Sequence, residues 1–155
     1  ASPWNDRLFC YHCSLQEFAG EVEETYDLLV SNPPFYGEAA ATGNPARDAA
    51  RRRASLPFET LLEGVRHLMA PGGRFCVVLP RREEAAFTSL AREAGLYPGR
   101  ITRVRGNPQA PLSRSLLAFT EKPGEVAEDT LTIEAGRGQY TEAYQALPRA
   151  FYLKM

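Results

Sequence analysis

The chain has 155 residues, of which 44% are apolar and 10% aromatic, enough to fill one domain core and to exclude a disordered or fibrous protein. Three cysteines are too few, and odd in number, for a disulfide scaffold, and they favour a reducing cytoplasm. The formal charge of −1 excludes a uniformly basic nucleic-acid clamp but allows a local basic patch, and no apolar run approaches the roughly 18 residues of a membrane span.

The first third of the chain predicts two strands and a long loop. Leu8–Cys13 is a short apolar and aromatic run that predicts a strand, and Gln16–Thr25 is polar and acidic, a loop or a short helix. Tyr26–Ser31 predicts a second strand, whose consecutive Leu, Leu and Val indicate burial on both faces. Two prolines within Asn32–Gly37 stop this strand, and Glu38–Ser55 has no clean period and predicts a mobile loop.

Two amphipathic helices around a buried strand are predicted next. In the first helix Ser55 is the expected cap, Pro57 suits the first turn, and Pro71–Gly73 is the expected stop. Its apolar face has a 3.6-residue period, formed by Phe58, Leu61, Leu62, Val65, Leu68 and Met69. Phe75–Leu79 predicts the strand, and Glu83–Ala94 predicts the second helix.

The last third predicts a hairpin, a connector and a tail. Gly99–Arg105 is expected to be a half-exposed strand, and Arg114–Thr120 is expected to return antiparallel to it. Glu121–Asp129 is an acidic connector, Leu131–Ile133 a short extra strand, and Tyr140–Leu153 an aromatic tail that seals the sheet edge or stacks on bases. The alternation of strands and helices predicts an α/β fold with parallel crossovers.

The most informative motif follows the strand Tyr26–Ser31. It consists of Asn32, Pro33, Pro34 and Phe35. Open α/β sheets bind their ligands at the carboxyl ends of their strands, which is where this motif lies. A rigid turn with no chemical role is the alternative interpretation.

The motif suits chemistry at a planar amine, whose lone pair is delocalised and poorly nucleophilic. The side-chain oxygen of Asn32 and the backbone carbonyl of Pro33 can accept hydrogen bonds from the two N–H groups of such an amine. The lone pair is then free to point at an electrophilic methyl group. Pro33 and Pro34 restrict the backbone and remove two competing donors, and Phe35 offers a face to a flat base.

Several stretches of the chain, including this motif, match one family of enzymes. They are Ser2–Trp4, Tyr26–Phe35, Ala50–Arg52 with Leu56–Phe58, Pro71–Phe75 with Val78–Pro80, and a tail of Tyr140–Glu142, Tyr144, Leu147 and Phe151–Leu153. With these, nearly the whole chain resembles the bacterial tRNA (adenine-N6) methyltransferases that act on a valine tRNA. These belong to the amine-directed class I methyltransferases, which use S-adenosylmethionine.

The resemblance implies transfer of a methyl group from S-adenosylmethionine to the N6 amine of an adenine beside the anticodon of a tRNA. It implies catalytic roles for Asn32, Pro33, Pro34 and Phe35. It implies cofactor contacts by Ser14, Leu15 and Asn32, although the Ser14 hydroxyl is equally suited to capping the next segment. Substrate contacts are implied for Tyr36, Arg51 and Arg52, the last standing where the family commonly has histidine.

One departure from the family concerns the cofactor site. No glycine-rich loop opens a helix, and the acidic residue expected after a second strand is absent. We therefore expect residues 1–155 to be the C-terminal part of a single catalytic domain without its cofactor-binding N-terminal part. The expected fold is a partial Rossmann-like class I sheet, mostly parallel with an antiparallel C-terminal hairpin, lacking the first two strands. Such a fragment is expected to be inactive alone.

Two arginine clusters predict RNA contacts or a solvated charged face. The first comprises Arg47, Arg51, Arg52 and Arg53, and the second Arg100, Arg103, Arg105 and Arg114. Cys10 and Cys13 form a single pair with metal-ligand spacing, but without a second pair core packing is favoured, and no metal is expected.

Three functions stay open. The first is the tRNA adenine methyltransferase described above. The second keeps the chemistry at another planar amine, namely a ribosomal RNA guanine, a DNA adenine or a protein glutamine. The third is an inactive RNA-binding or assembly module. A homodimer is expected through the sheet edge that the missing strands leave exposed, unless Leu8–Cys13 pairs directly with Tyr26–Ser31.

Overall fold

The computed structural model describes residues 3, 4, 6–33 and 56–151. Its elements are α1 (Leu15–Glu21), β1 (Tyr26–Ser31), α2 (Phe58–Leu68), β2 (Met69–Pro80), a 3₁₀ turn (Arg81–Glu83), α3 (Glu84–Glu93), β3 (Tyr97–Arg105), β4 (Arg114–Thr120), β5 (Ala127–Thr132), β6 (Glu134–Gly136), β7 (Gln139–Tyr140) and α4 (Glu142–Ala146). The loop predicted over Glu38–Ser55 lies outside these residues. Within them, every helix is too short or too polar to cross a membrane.

Five strands form one mixed sheet in the order β1-β2-β4-β3-β5. β1 is parallel to β2 and β3 is parallel to β5, whereas β4 is antiparallel to both strands that flank it. All strands of this sheet except β4 therefore point the same way. The predicted α/β class is confirmed, with its mostly parallel sheet and its antiparallel hairpin of β3 and β4.

The core lies between the sheet and the helices α2 and α3. Phe75 of β2, Phe87 of α3 and Phe119 of β4 are fully buried, with ring centroids 5.7–6.4 Å apart. Phe58, at the start of α2, meets the Phe87 ring edge-on at 4.9 Å. Such aromatic pairs add about 0.5–1.5 kcal/mol each beyond the burial of their area, so this cluster fixes both helices on the sheet.

Helix α2 confirms the predicted apolar face and differs at its ends. Its buried residues include Leu61, Leu62, Val65 and Leu68. Pro57 is the N-cap and makes no side-chain cap bond, while Ser55 lies outside the described residues. The segment Pro71–Gly73 was expected only to stop the helix, but it belongs to β2, where the pairing with β1 shifts register. Gly72 has φ of +80° there, a conformation that favours glycine.

The N-terminal predictions need two corrections. Leu8–Cys13 is an exposed irregular segment, so the predicted strand is wrong, as is its direct pairing with β1. β1 instead lies at the edge of the sheet, with Leu28 57% and Val30 71% exposed, so burial on both faces is also wrong. Apolar runs signal a need for burial, and on this side the described residues supply no neighbouring element to meet it. Cys10 is exposed for the same reason and does not pack in the core.

The C-terminal third is more ordered than predicted. β5 begins within the predicted acidic connector because Glu128 and Asp129 pair with arginines of β3. The tail is held against the sheet by Thr141, whose hydroxyl donates to the Thr132 carbonyl. Its aromatic residues seal the sheet only in part, because Phe151 is 85% exposed.

Candidate functional site

A cleft of about 670 Å³ opens at the ends of the strands, where β1 and β2 end and β4 begins. It is lined by Asn32, Pro33, Val78, Leu79, Pro80, Arg81, Arg82, Leu112, Ser113 and Arg114. Open α/β sheets usually bind their ligands at the carboxyl ends of their parallel strands. The cleft therefore occupies the position that the strand order predicts for a ligand.

Strand register brings these walls together. Ser31, the last residue of β1, pairs with Val77 of β2, and Pro80 pairs with Arg114 of the antiparallel β4. The Arg81 amide then donates to the Ser113 carbonyl at 3.1 Å, which closes the junction of β2 and β4. Residues far apart in sequence thereby share one rim.

The motif that is predicted to be catalytic lines this cleft with its first two residues. Asn32 is exposed and Pro33 is buried, and both line the cleft directly after β1. A buried proline with restricted φ fixes where the exposed carboxamide begins, which suits an acceptor that must be held in position. Pro34, Phe35, Tyr36, Arg51 and Arg52 lie outside the described residues, and their roles stay predictions.

Ser14 forms a capping box at the start of α1. Its hydroxyl accepts from the Glu17 amide at 3.2 Å and donates to the Glu17 carboxylate at 2.8 Å, and the same carboxylate accepts from the Ser14 amide. These bonds lower the pKa of Glu17. The capping alternative is thus confirmed, whereas the cofactor contact stays a prediction.

Leu15 is placed differently from Ser14. It is half-buried and packs against the core, where a Cβ added to Gly64 would lie 2.7 Å from its Cδ2. Gly64 therefore lets α1 approach α2 closely. Because the Leu15 side chain is used in this packing, the predicted cofactor contact would fall to its backbone.

Most arginines of the predicted hairpin cluster are engaged within the sheet. Arg100 pairs with Asp129. Arg103 pairs with Glu84 and with Glu128, and both of these distances are 2.7 Å. The Arg105 Nε donates to the Thr132 hydroxyl at 2.9 Å. These three side chains hold β3 to its neighbours, whereas Arg114 of the same cluster lines the cleft.

Glu84 is the centre of a buried network beneath the cleft. It is 6% exposed and accepts two bonds through Oε1 from Arg103, at 2.7 and 3.1 Å, while Ser115 donates to Oε2. Arg81 lies near the same carboxylate, with Nε 3.6 Å from Oε2. Burial alone would raise the pKa of Glu84, but the bonds from Arg103 and Ser115 and the arginine charges lower it below its usual range. Glu84 is consequently an anion at neutral pH.

Sequence reasoning missed Arg81, Arg82 and Glu84 as members of the site. The two arginines follow Pro80, the residue that closes β2, and this position after a strand was the signal that could have found them. Glu84 looked like one more polar residue of a helix start, and no local pattern marks it as buried.

The three cysteines and His67 do not line the cleft. Cys10 and Cys13 are exposed, and burial raises the pKa of the Cys76 thiol. His67 is exposed in the last turn of α2.

The chain matches curated relatives over its full length or nearly so. It is 49% identical over 156 residues, 100% of this chain, to a protein of Flavobacterium johnsoniae named tRNA1(Val) (adenine(37)-N6)-methyltransferase. Proteins of the same name from Flavobacterium psychrophilum and Cronobacter sakazakii are 48% and 40% identical over 99% and 100% of the chain. The chain spans 66%, 66% and 63% of these relatives, just under two thirds of their length.

No family model matches the chain. Similar solved structures include the M protein of the type I restriction enzyme EcoKI, with a TM-score of 0.48 and 18% identity over 81% of this chain and 30% of that one. A methyltransferase from Pyrococcus furiosus has a TM-score of 0.44 and 23% identity over 66% of this chain and 44% of that one.

Proposed function

Because the chain belongs to the same family as the bacterial proteins named tRNA1(Val) (adenine(37)-N6)-methyltransferase, we propose that the whole protein methylates the N6 amine of an adenine beside the anticodon of a tRNA. The observation that carries this proposal is 49% identity across the entire chain. The position of Asn32 and Pro33 at a ligand-binding sheet edge supports the same chemistry.

This chain contributes the C-terminal part of one catalytic domain in our proposal. The relatives are about half as long again as the stretch they share with this chain, and residues 1–155 contain no glycine-rich strand–loop–helix for the cofactor. The N-terminal part of the domain would supply that loop, and the whole protein would act in the cytoplasm, where its three free cysteines stay reduced.

S-adenosylmethionine supplies the electrophilic methyl group when it is bound. Asn32 fits a position between cofactor and substrate, since its carboxamide is exposed in the cleft. The Asn32 side-chain oxygen and the Pro33 carbonyl would accept hydrogen bonds from the two N–H groups of the adenine amine. These bonds would direct the lone pair of the amine to the methyl group. In this proposal Pro34 would restrict the backbone and remove a competing donor, and Phe35 would offer its ring face to the base.

The remaining contacts in this proposal are made with the cofactor and with the RNA. Ser14 and Leu15 lie near the adenine ring of the cofactor, with Leu15 contributing its backbone. Tyr36, Arg51 and Arg52 contact the RNA, the arginines through phosphate groups. Neither contact of the reactive amine needs a protonated or deprotonated side chain, so the rate should not depend on a tuned catalytic base.

The proposal is tested by incubating the full-length protein with S-adenosylmethionine and an unmodified valine tRNA, then digesting the RNA to nucleosides for mass spectrometry. N6-methyladenosine is the expected product, and the 155-residue chain alone should form none. Product on a guanine, on DNA adenine or on a protein glutamine would establish the second function instead. No product with any of these acceptors would contradict the methyltransferase assignment.

We also propose that the 155-residue chain dimerises through β1. This strand is paired on one side only among the described strands, and it exposes Leu28 and Val30. An unpaired edge that carries apolar side chains is a template for pairing with another chain. Sedimentation equilibrium at micromolar concentration should show a dimer, and Val30→Lys should shift it to monomer. Leu147→Lys is the matched control, because it changes an exposed leucine that follows α4, the helix that packs on β5 at the opposite edge of the sheet. A monomer whose β1 amides exchange freely would contradict the proposal.

A further inference from the structure

The fold separates the arginines near the cleft into two groups. Arg100 and Arg103 are neutralised by carboxylates of α3 and β5. Arg81, Arg82 and Arg114 line the cleft, and its described lining contains no carboxylate. This wall of the cleft is therefore positive, although the chain as a whole has a formal charge of −1.

Arg81 and Arg114 are fastened at a common point. The Ser113 carbonyl accepts from the Arg81 amide at 3.1 Å and from the Arg114 Nη1 at 3.0 Å. The Arg81 Nε also lies 3.6 Å from the buried Glu84 carboxylate. The backbone bond fixes where the Arg81 side chain begins, and the ion pair favours one placement of it, so less conformational entropy is lost on binding an anion.

Arg82 is a weaker candidate than the other two. Its Nε lies 3.0 Å from the Glu83 carboxylate, which offsets its charge. Among the described residues Arg114 pairs with no carboxylate, and Arg81 approaches the Glu84 carboxylate only to 3.6 Å, which is longer than a hydrogen bond. The two cleft arginines held least closely by a carboxylate are thus the two whose N–H groups donate to the Ser113 carbonyl.

We infer that Arg81 and Arg114 bind the backbone phosphate next to the target base of an RNA substrate. The inference rests on the proposed function and extends it to the opposite wall of the same cleft. A base extruded from its stack must be held by its edge and by its adjoining phosphate. Asn32 provides the first contact, and the arginines, whose forked donors match phosphate oxygens, provide the second.

The test compares full-length R81Q/R114Q with wild type in binding an unmodified valine tRNA over a range of salt concentrations. Each lost phosphate contact should lower the magnitude of the slope of log K against log salt by about 0.7–0.9, and because both arginines bind one phosphate, the double variant should lose about 0.7–0.9. Arg100→Gln is the matched control, because it removes an exposed arginine that is already paired with Asp129. Its slope should equal that of wild type.

An unchanged slope in R81Q/R114Q, or an equal loss in Arg100→Gln, would overturn the inference. Arginine-dependent binding of an acidic peptide in place of the tRNA would also overturn it, by assigning the cleft to a protein. These results are distinct from failure of the proposed function, which would appear as a wild-type protein that transfers no methyl group to tRNA. Circular dichroism on each variant verifies that the measured protein is folded.

Discussion

Replacing Asn32 by alanine is expected to lower the rate of methyl transfer by the full-length protein by about 10²–10³-fold. Asn32 would supply one of only two acceptors for the reactive amine, and the other is a backbone carbonyl that no substitution removes. Its side chain is exposed at the cleft, so its loss should leave folding intact. The measurement is the single-turnover rate with saturating tRNA and S-adenosylmethionine.

Two further variants sharpen the test of Asn32. Asn32→Asp keeps an acceptor oxygen at the same place and should retain more activity than Asn32→Ala. Ser31→Ala, one residue earlier and at the end of β1, should leave the rate close to that of wild type. An alanine variant with an unchanged single-turnover rate would remove Asn32 from the reaction, whatever the result with aspartate.

Replacing Glu84 by alanine is expected to reduce the free energy of unfolding by about 1–3 kcal/mol at neutral pH. The substitution leaves the charge of Arg103 and the hydroxyl of Ser115, which is fully buried, without their shared acceptor. Glu128→Ala removes the exposed partner of the same arginine and should cost about 0–1 kcal/mol. Urea denaturation of both variants separates the two cases, and equal losses would show that the buried network has no special weight.

The contribution of Glu84 should also depend on pH. Its pKa in the folded protein is lower than the ordinary value of 4.5, so the unfolded chain takes up a proton first as the pH falls. The stabilisation is therefore complete above about pH 5 and is lost as the pH falls through the folded-state pKa. The difference in unfolding free energy between wild type and Glu84→Gln should shrink over that range. A difference that stays constant would show that the carboxylate charge does not contribute.

Elements whose signals are local could be predicted from the sequence. The bounds of β1 and β4 agree with prediction because an apolar run and its breakers lie within a few residues of each other. The apolar face of α2 and the place of Asn32 after a strand follow for the same reason. The resemblance to amine-directed methyltransferases also came from short contiguous stretches, and the full-length relatives agree with it.

Which arginines are available to a ligand depends on contacts between residues that are distant in sequence. Arg103 meets Glu84 from 19 residues away and Glu128 from 25 residues away, and such pairs have no signature in a local pattern. The exposure of β1 likewise depends on which strand becomes its neighbour, as does the burial of Glu84 beneath the cleft. Charge, burial and access are properties of the surroundings of a side chain, and those surroundings exist only after the sheet has assembled.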